Sequence, residues 1–270
     1  RRSFRRTSRG GTINLDHKVP WLDDYFRFNY QLRIDKTNIF DFSDKLKRIN
    51  PNGVITQDWP LFTTSLTHEM TRNRLDNDYF PTTGSKLTLS NELALGLFSF
   101  LEKDSEKAVR FHKHLLQASL YTPITKSTVL QTAFATGYVN EYGKNSTIPY
   151  FDLFFIGGFE SVRGYREPFH IKNKAPIGGR VMMRMGFELR QKILEKPISY
   201  ILAFSEAGNR WDSFSDSKII LNDMFRSVGI GWRVRVDMLM VGFDHAYGFQ
   251  YPDKSGETLG GEIRHHFILG

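Results

Sequence analysis

The sequence predicts an all-β fold, the wall of a transmembrane antiparallel β-barrel. Three observations point there. Apolar residues recur with a period of two over long stretches, aromatic residues make up 14% of the 270-residue chain, and no stretch approaches the ~20 consecutive apolar residues that a spanning helix needs. A barrel strand shows lipid only every second side chain, so a hydrophobic share of 40% and a hydrophilic mean hydropathy are compatible with a membrane wall.

The alternation begins in residues 25–34, where Phe26, Phe28, Tyr30, Leu32 and Ile34 oppose Arg27, Asn29, Gln31 and Arg33. Successive strand side chains point to opposite faces, so this segment is apolar on one side and polar on the other. The same pattern returns in Leu87, Leu89, Leu93, Leu95 and Leu97, and in Leu116, Ala118 and Leu120. Val129, Ala133, Ala135 and Val139 alternate with Leu130, Thr132, Phe134, Thr136 and Tyr138. Val181, Met183, Met185, Phe187 and Leu189 oppose Arg180, Arg184, Glu188 and Arg190. Val228, Ile230, Trp232, Val234 and Val236 oppose Gly229, Gly231, Arg233 and Arg235, and then Leu239, Val241 and Phe243 oppose Gly242, Asp244 and Ala246. The last segment sets Leu259, Ile263, Phe267 and Leu269 against Glu262, Arg264 and His266.

This amounts to about ten or eleven strands, many of roughly 10–16 residues, where a globular strand has ~5–6 and a tilted membrane crossing needs ~9–11. Arginine at lipid depth costs about 2–4 kcal/mol, so the arginines are expected on the polar parity. A soluble sandwich or lipocalin-like barrel also alternates, but strand length, arginine-lined polar faces and aromatic content favour a membrane wall. The connections are unequal: 192–197 and Asp237 read as tight turns, 41–48 as a short helix, and 143–177 as a long loop rich in Gly, Pro and aromatics. No domain boundary interrupts residues 1–270.

Composition excludes several chemistries. With no cysteine there is no disulfide framework and no thiolate site. The net charge of +8 is spread along the chain, and one Arg9-Gly10-Gly11 triplet is too little to read as a nucleic-acid-binding tail. The basic start is no signal peptide, so the chain is expected to be a mature protein or a fragment. His112 and His114 share a strand face but lack an evident third ligand, and His265 and His266 point to opposite faces, so no metal site is expected. Asn145-Ser146-Thr147 fits a glycosylation acceptor pattern. No nucleophile–base spacing, phosphate-cradling loop or carboxylate pair suggests an enzyme, and no cofactor is implied.

Two segments stand apart. Asn77-Asp78-Tyr79-Phe80-Pro81-Thr82-Thr83-Gly84 lies between two long strands and reads as a tight turn with an aromatic at the membrane boundary. Phe154-Phe155-Ile156-Gly157-Gly158-Phe159-Glu160-Ser161-Val162-Arg163-Gly164-Tyr165 sits in the longest loop. Gly157 and Gly158 permit a tight turn, and Arg163 needs acidic partners if the loop enters the lumen, because a buried unpaired charge is costly.

The Val162-Arg163-Gly164-Tyr165 motif, preceded by Gly157-Gly158, resembles the loop signature of the BamA-type outer-membrane assembly proteins. The Asp78–Gly84 turn resembles a second landmark of that family, and Phe204-Ser205-Glu206-Ala207-Gly208 resembles its Phe-x-Asp-x-Gly strand motif. The resemblance implies a barrel of the sixteen-stranded type, of which this chain would supply about the last ten or eleven strands, five of them after the loop. It implies that Arg163 folds inside the barrel against Glu188 and Glu206, which in turn makes Phe204 face inward. The family's periplasmic POTRA domains are not in this chain.

The implied function is assembly and insertion of client outer-membrane proteins in a Gram-negative outer membrane. It would proceed through a lateral gate that includes the last strand, 258–270, with Leu259, Gly260, Gly261, Ile263 and Phe267. The implied partners are those clients, the POTRA domains, assembly lipoproteins or other accessory subunits, and outer-membrane lipid, with no nucleic acid. A secretion pore of the FhaC type or a TamA-like factor shares the loop motif, and a passive porin is the weakest reading.

Overall fold

The computed structural model describes residues 4–18, 23–42, 44, 60–97, 108–159, 161–165, 178–213, 224–249, 251–252, 258–259 and 261–269. Eleven antiparallel strands follow one another in a single sheet, in sequence order. They are β1 (Arg5–Lys18), β2 (Phe26–Phe40), β3 (Leu61–Leu75), β4 (Gly84–Leu95), β5 (Ala108–Pro123), β6 (Thr128–Glu141), β7 (Val181–Glu195), β8 (Ile198–Trp211), β9 (Phe225–Val236), β10 (Leu239–Gly248) and β11 (Glu262–Leu269). The short segment Ser146–Thr147 adds to the start of β5 in parallel. The sheet is not closed on itself: β1 and β11 each have one neighbour among the described residues.

Tight connections at 124–127, 196–197 and 237–238 alternate with long ones at 96–107, 142–180 and 212–224. This is the asymmetry of a transmembrane barrel, with short turns at one rim and long loops at the other. Outward positions carry exposed apolar side chains, among them Phe187, Leu189, Ile201, Ile230 and Trp232. Inward positions of the same strands are buried, including Val129, Val139, Leu202, Phe204, Glu188, Arg233 and Asp244. The inner face is therefore not an empty aqueous channel at this height, because the long loop between β6 and β7 covers it.

One lateral row on the outer face is polar. Tyr30, His68, Asn91, His114 and Tyr138 are successive register partners across β2 to β6. His68 lies against the rings of Phe28 and Tyr30, and His114 shares hydrogen bonds with His112 at 3.1 Å and Asn91 at 2.8 Å. Polar groups cost free energy in hydrocarbon, and this row lies between Leu87, Leu89, Leu116 and Leu120 on the tight-turn side and Leu93 on the long-loop side. Among the described residues no three His, Cys, Asp or Glu side chains group as metal ligands.

Three details differ from the sequence reading. Arg5–Lys18 is a full strand in register with β2. Its alternation shows only in Ile13 and Leu15, which is why the sequence pattern names no strand there. Arg72 takes the outward parity, against the expectation for arginines. It sits at the end of β3, where it pairs with Asp23 at 2.9 Å and lies beside the rings of Tyr25 and Phe26. The last strand starts at Glu262: Thr258–Leu259 pairs instead with Tyr251–Pro252 in a separate ribbon. Of the five residues named for the gate, Ile263 and Phe267 belong to this strand, Gly261 immediately precedes it, Leu259 is in the ribbon, and Gly260 lies outside the described residues. Most of the helix expected at 41–48 also lies outside them.

Candidate functional site

The long loop turns back into the lumen as a compact unit. Phe154 and Gly179 exchange backbone hydrogen bonds at 2.9 and 2.8 Å, which ties its two legs together. Phe154, Ile156, Val162 and Tyr165 then bury into one cluster with Leu61, Phe111, Val139 and Phe225 of the wall. Gly157, Gly158 and Gly164 stand at φ values of 115°, 90° and 90°, a region that L side chains rarely adopt.

Arg163 is at the tip. Its backbone N–H donates to Glu206 Oε2 at 2.7 Å and its Nε to Glu206 Oε1 at 2.9 Å. Nη2 donates to Glu188 Oε2 at 2.9 Å and Nη1 to Asp244 Oδ2 at 3.0 Å. The guanidinium plane lies 3.4 Å from the centre of the Phe204 ring. Each guanidinium nitrogen and one face of its plane are thus engaged, and charge-assisted bonds of this kind are the strong ones. The carboxylates have second cations: Arg190 donates to Glu188 at 2.7 Å, and Arg233 grips Asp244 at 2.6 and 2.8 Å. Three acids, Glu188 and Asp244 buried and Glu206 half-buried, face three arginines, so the cluster is neutral as a whole, the condition for keeping ions out of water.

The wall is shaped for this cluster. A Cβ at Gly231 would stand 1.9 Å from Asp244 Oδ1, and one at Gly229 would stand 2.3 Å from the Phe204 ring. The glycines on the inner face of β9 therefore make room for the acid and the ring. Asp244 was on the polar parity in the sequence but unassigned to the site. A lone acid opposite a Gly/Arg face was the available signal. The two partners that the family resemblance named, Glu188 and Glu206, both lie within hydrogen-bond distance of Arg163.

The descending leg of the loop docks on the opposite wall. Asp152 lies 3.6 Å from Arg33 of β2, which also pairs with Glu92 of β4 at 2.8 Å, and Arg6 stacks on Phe151 at 4.1 Å. Burial pushes the Asp152 carboxyl up to about 6, with Arg33 opposing and Glu92 adding to the rise. Because this exceeds its ordinary 3.8, Asp152 contributes stability fully below that value and loses the contribution as pH rises through about 6. Asp152→Asn imitates the protonated state. Its stability relative to wild type, from thermal unfolding in detergent, is expected to improve from pH 4 to about 6.5 by at most about 3 kcal/mol, then stay constant. A difference that is flat over that range contradicts this account.

From the tight-turn rim the Asn77–Gly84 segment also enters the lumen. The Asn77 side chain accepts the Tyr79 and Phe80 amides at 2.8 and 2.9 Å, and Asp76 accepts those of Thr82 and Thr83 at 2.8 and 3.2 Å. This points Phe80 inward, 2% exposed, edge-on to Tyr200 at 5.0 Å. The aromatic expected at the membrane boundary is in fact inside the lumen. It belongs to the buried cluster of Tyr121, Val129, Tyr200, Leu202 and Phe204, on which Arg163 stacks from the other side. Phe80→Ala is expected to destabilise the folded barrel by about 3–5 kcal/mol, read as a lower midpoint in urea unfolding from lipid vesicles. An unchanged midpoint would show that the turn merely rests on the wall.

A β-sheet with an apolar outer face, a filled polar lumen and a rim loop held inside by a buried arginine defines a loop-plugged transmembrane β-barrel. The Omp85 superfamily domain matches residues 1–270, and the chain belongs to that superfamily. It is 26% identical over 273 residues to the outer membrane protein assembly factor BamA of Nitratidesulfovibrio vulgaris, covering 99% of this chain and 32% of that protein. It is 22% identical over 200 residues to BamA of Neisseria meningitidis serogroup B, covering 74% of this chain and 21% of that protein. The chain thus spans a third or less of the length of these relatives. Among solved structures, BamA from Haemophilus ducreyi lacking POTRA domains 1–3 shares the fold with a TM-score of 0.68 at 20% identity, covering 99% of this chain and 55% of that one. CdiB from Escherichia coli does so with a TM-score of 0.63 at 14% identity, covering 98% and 46%.

Proposed function

We propose that the chain is the C-terminal barrel part of a factor that assembles and inserts client outer-membrane proteins in a Gram-negative outer membrane. The observation that carries this reading is the signature loop clamped in the lumen by Arg163 and reaching across the wall to its last strand. Membership of the Omp85 superfamily and the likeness to proteins named as BamA support it. In this reading β11 is one lip of a lateral gate, with Ile263 and Phe267 on its lipid-facing side. Its edge N–H and C=O groups would template an incoming strand by β-addition. The driving force is the client's own strand pairing and apolar burial in lipid, so no cofactor, metal or nucleic acid takes part. The partners are clients, POTRA domains, assembly lipoproteins and outer-membrane lipid.

Photo-crosslinking from positions 262–269 during active assembly tests this, together with depletion of the protein from cells. Client adducts on β11, and loss of other barrels on depletion, are expected. Correct insertion of other barrels after depletion would overturn the reading. The second reading, a polypeptide-secretion pore, draws on the same loop and on a fold shared with CdiB. It predicts conductance and one cognate secreted partner, with other barrels unaffected.

A further inference from the structure

The loop reaches the last strand through His266. The Gly164 N–H donates to His266 Nε2 at 3.2 Å. To accept that bond, Nε2 must hold a lone pair, so the neutral ring carries its proton on Nδ1. His266 is the register partner of Asp244, and both side chains lie on the inner face, so the histidine extends the arginine cluster by one strand. Each of the five strands after the loop presents at least one side chain to this cluster: Glu188 and Arg190 on β7, Phe204 and Glu206 on β8, Arg233 on β9, Asp244 on β10 and His266 on β11.

The donor is held firmly in place. A Cβ at Gly164 would stand 2.7 Å from the Gly248 nitrogen, and one at Gly248 would stand 2.8 Å from the Gly164 oxygen. The next residue, Tyr165, donates its hydroxyl to the Arg226 carbonyl at 2.7 Å and the Phe249 carbonyl at 3.0 Å. The acceptor, by contrast, sits on the shortest of the described wall strands, of 8 residues, whose pairing among the described residues is with β10. A rigid donor and an acceptor on so short a strand make a contact whose main effect falls on the strand.

We infer that His266 is a positioning residue by which the signature loop latches the last strand from inside the lumen. While Arg163 is seated, the Gly164 amide holds β11 against β10. Release of the loop removes that restraint, and peeling of β11 loosens the loop tip, because coupling between two sites is reciprocal. The assembly consequence rests on the proposed gate reading, but the latch itself does not.

The test is hydrogen–deuterium exchange of the full-length protein in lipid nanodiscs, with three variants. His266→Leu removes the acceptor, His266→Asn keeps polarity but is too short to reach, and His266→Gln keeps an acceptor at similar reach. Exchange across 262–269 and 157–165 is expected to rise about tenfold or more in the Leu and Asn variants, to remain near wild type in the Gln variant, and to be unchanged in β8. Equal exchange in all three, or an increase spread through the whole wall, would overturn the latch. Where the Leu variant fails to insert, the Asn–Gln comparison decides the matter alone. Client assembly is followed in parallel: a loosened β11 with normal assembly keeps the latch and refutes the gate reading, whereas an unchanged β11 refutes the latch whatever assembly does.

Discussion

Arg163→Glu is expected to expel the loop tip from the lumen and, under the proposed function, to abolish client assembly. The substitution removes the cation that Glu188, Glu206 and Asp244 share and puts a fourth acid in its place. Breaking a buried pair by removing one partner costs about 3–5 kcal/mol, and added repulsion deepens the loss. The loop has an alternative that the wall lacks, since it can swing out to solvent. The expected phenotype is therefore a folded barrel with an exposed loop, read as new protease cleavage within 157–165 and a lowered thermal midpoint. The neighbours rank the rescues. Glu206→Arg restores three charges of each sign and faces acids on two sides, although it loses the bond from the Arg163 amide to Glu206. Glu188→Arg would bring a new cation beside Arg190, now 2.7 Å from that carboxylate. The Arg163→Glu/Glu206→Arg double variant should recover more protection than the Arg163→Glu/Glu188→Arg one. The reverse order would mean that the loop is held by its apolar contacts rather than by these charges.

Asp244→Ala is expected to be nearly as damaging, but in the wall rather than in the loop alone. Asp244 is fully buried and accepts from Arg233 at 2.6 and 2.8 Å and from Arg163 at 3.0 Å. Its removal leaves two guanidinium groups short of a partner in a closed space, again a loss of about 3–5 kcal/mol. Asp244→Asn keeps the shape but not the charge and should fall between. Gly231→Ala gives an independent check, because its methyl would occupy the place of the carboxylate, 1.9 Å from Oδ1. All three changes should lower the urea midpoint and raise exchange in β9 and β10, in the order Asp244→Ala, Gly231→Ala, Asp244→Asn. A wall unaffected by Asp244→Ala would show that the Arg163 cluster is dispensable for stability.

These effects would have been only half visible from the chain alone. The period-two alternation by itself determined the strand class, the face that meets lipid and the unequal connections. Alternation is a local property, and a bilayer demands one apolar face from every crossing. The motif around Arg163, read through its family resemblance, also named Glu188 and Glu206. What only the tertiary structure decided lies in the third dimension of the lumen. Asp244, 81 residues from Arg163, could not be paired with it by spacing, because curvature and shear, not sequence separation, decide which inner side chains meet across several strands. Phe80 turns inward because the side chains of Asp76 and Asn77 bind the turn amides, a choice between two faces that composition leaves open. Strand β1 is visible only through its pairing with β2, whose register supplies the partner groups that its own weak alternation does not advertise. The hydrogen-bonded neighbours of each strand follow the order of the chain, so the sequence reads them well. The contacts that seat the loop and reach the last strand arise where the sheet curls back on itself, and no local pattern encodes that.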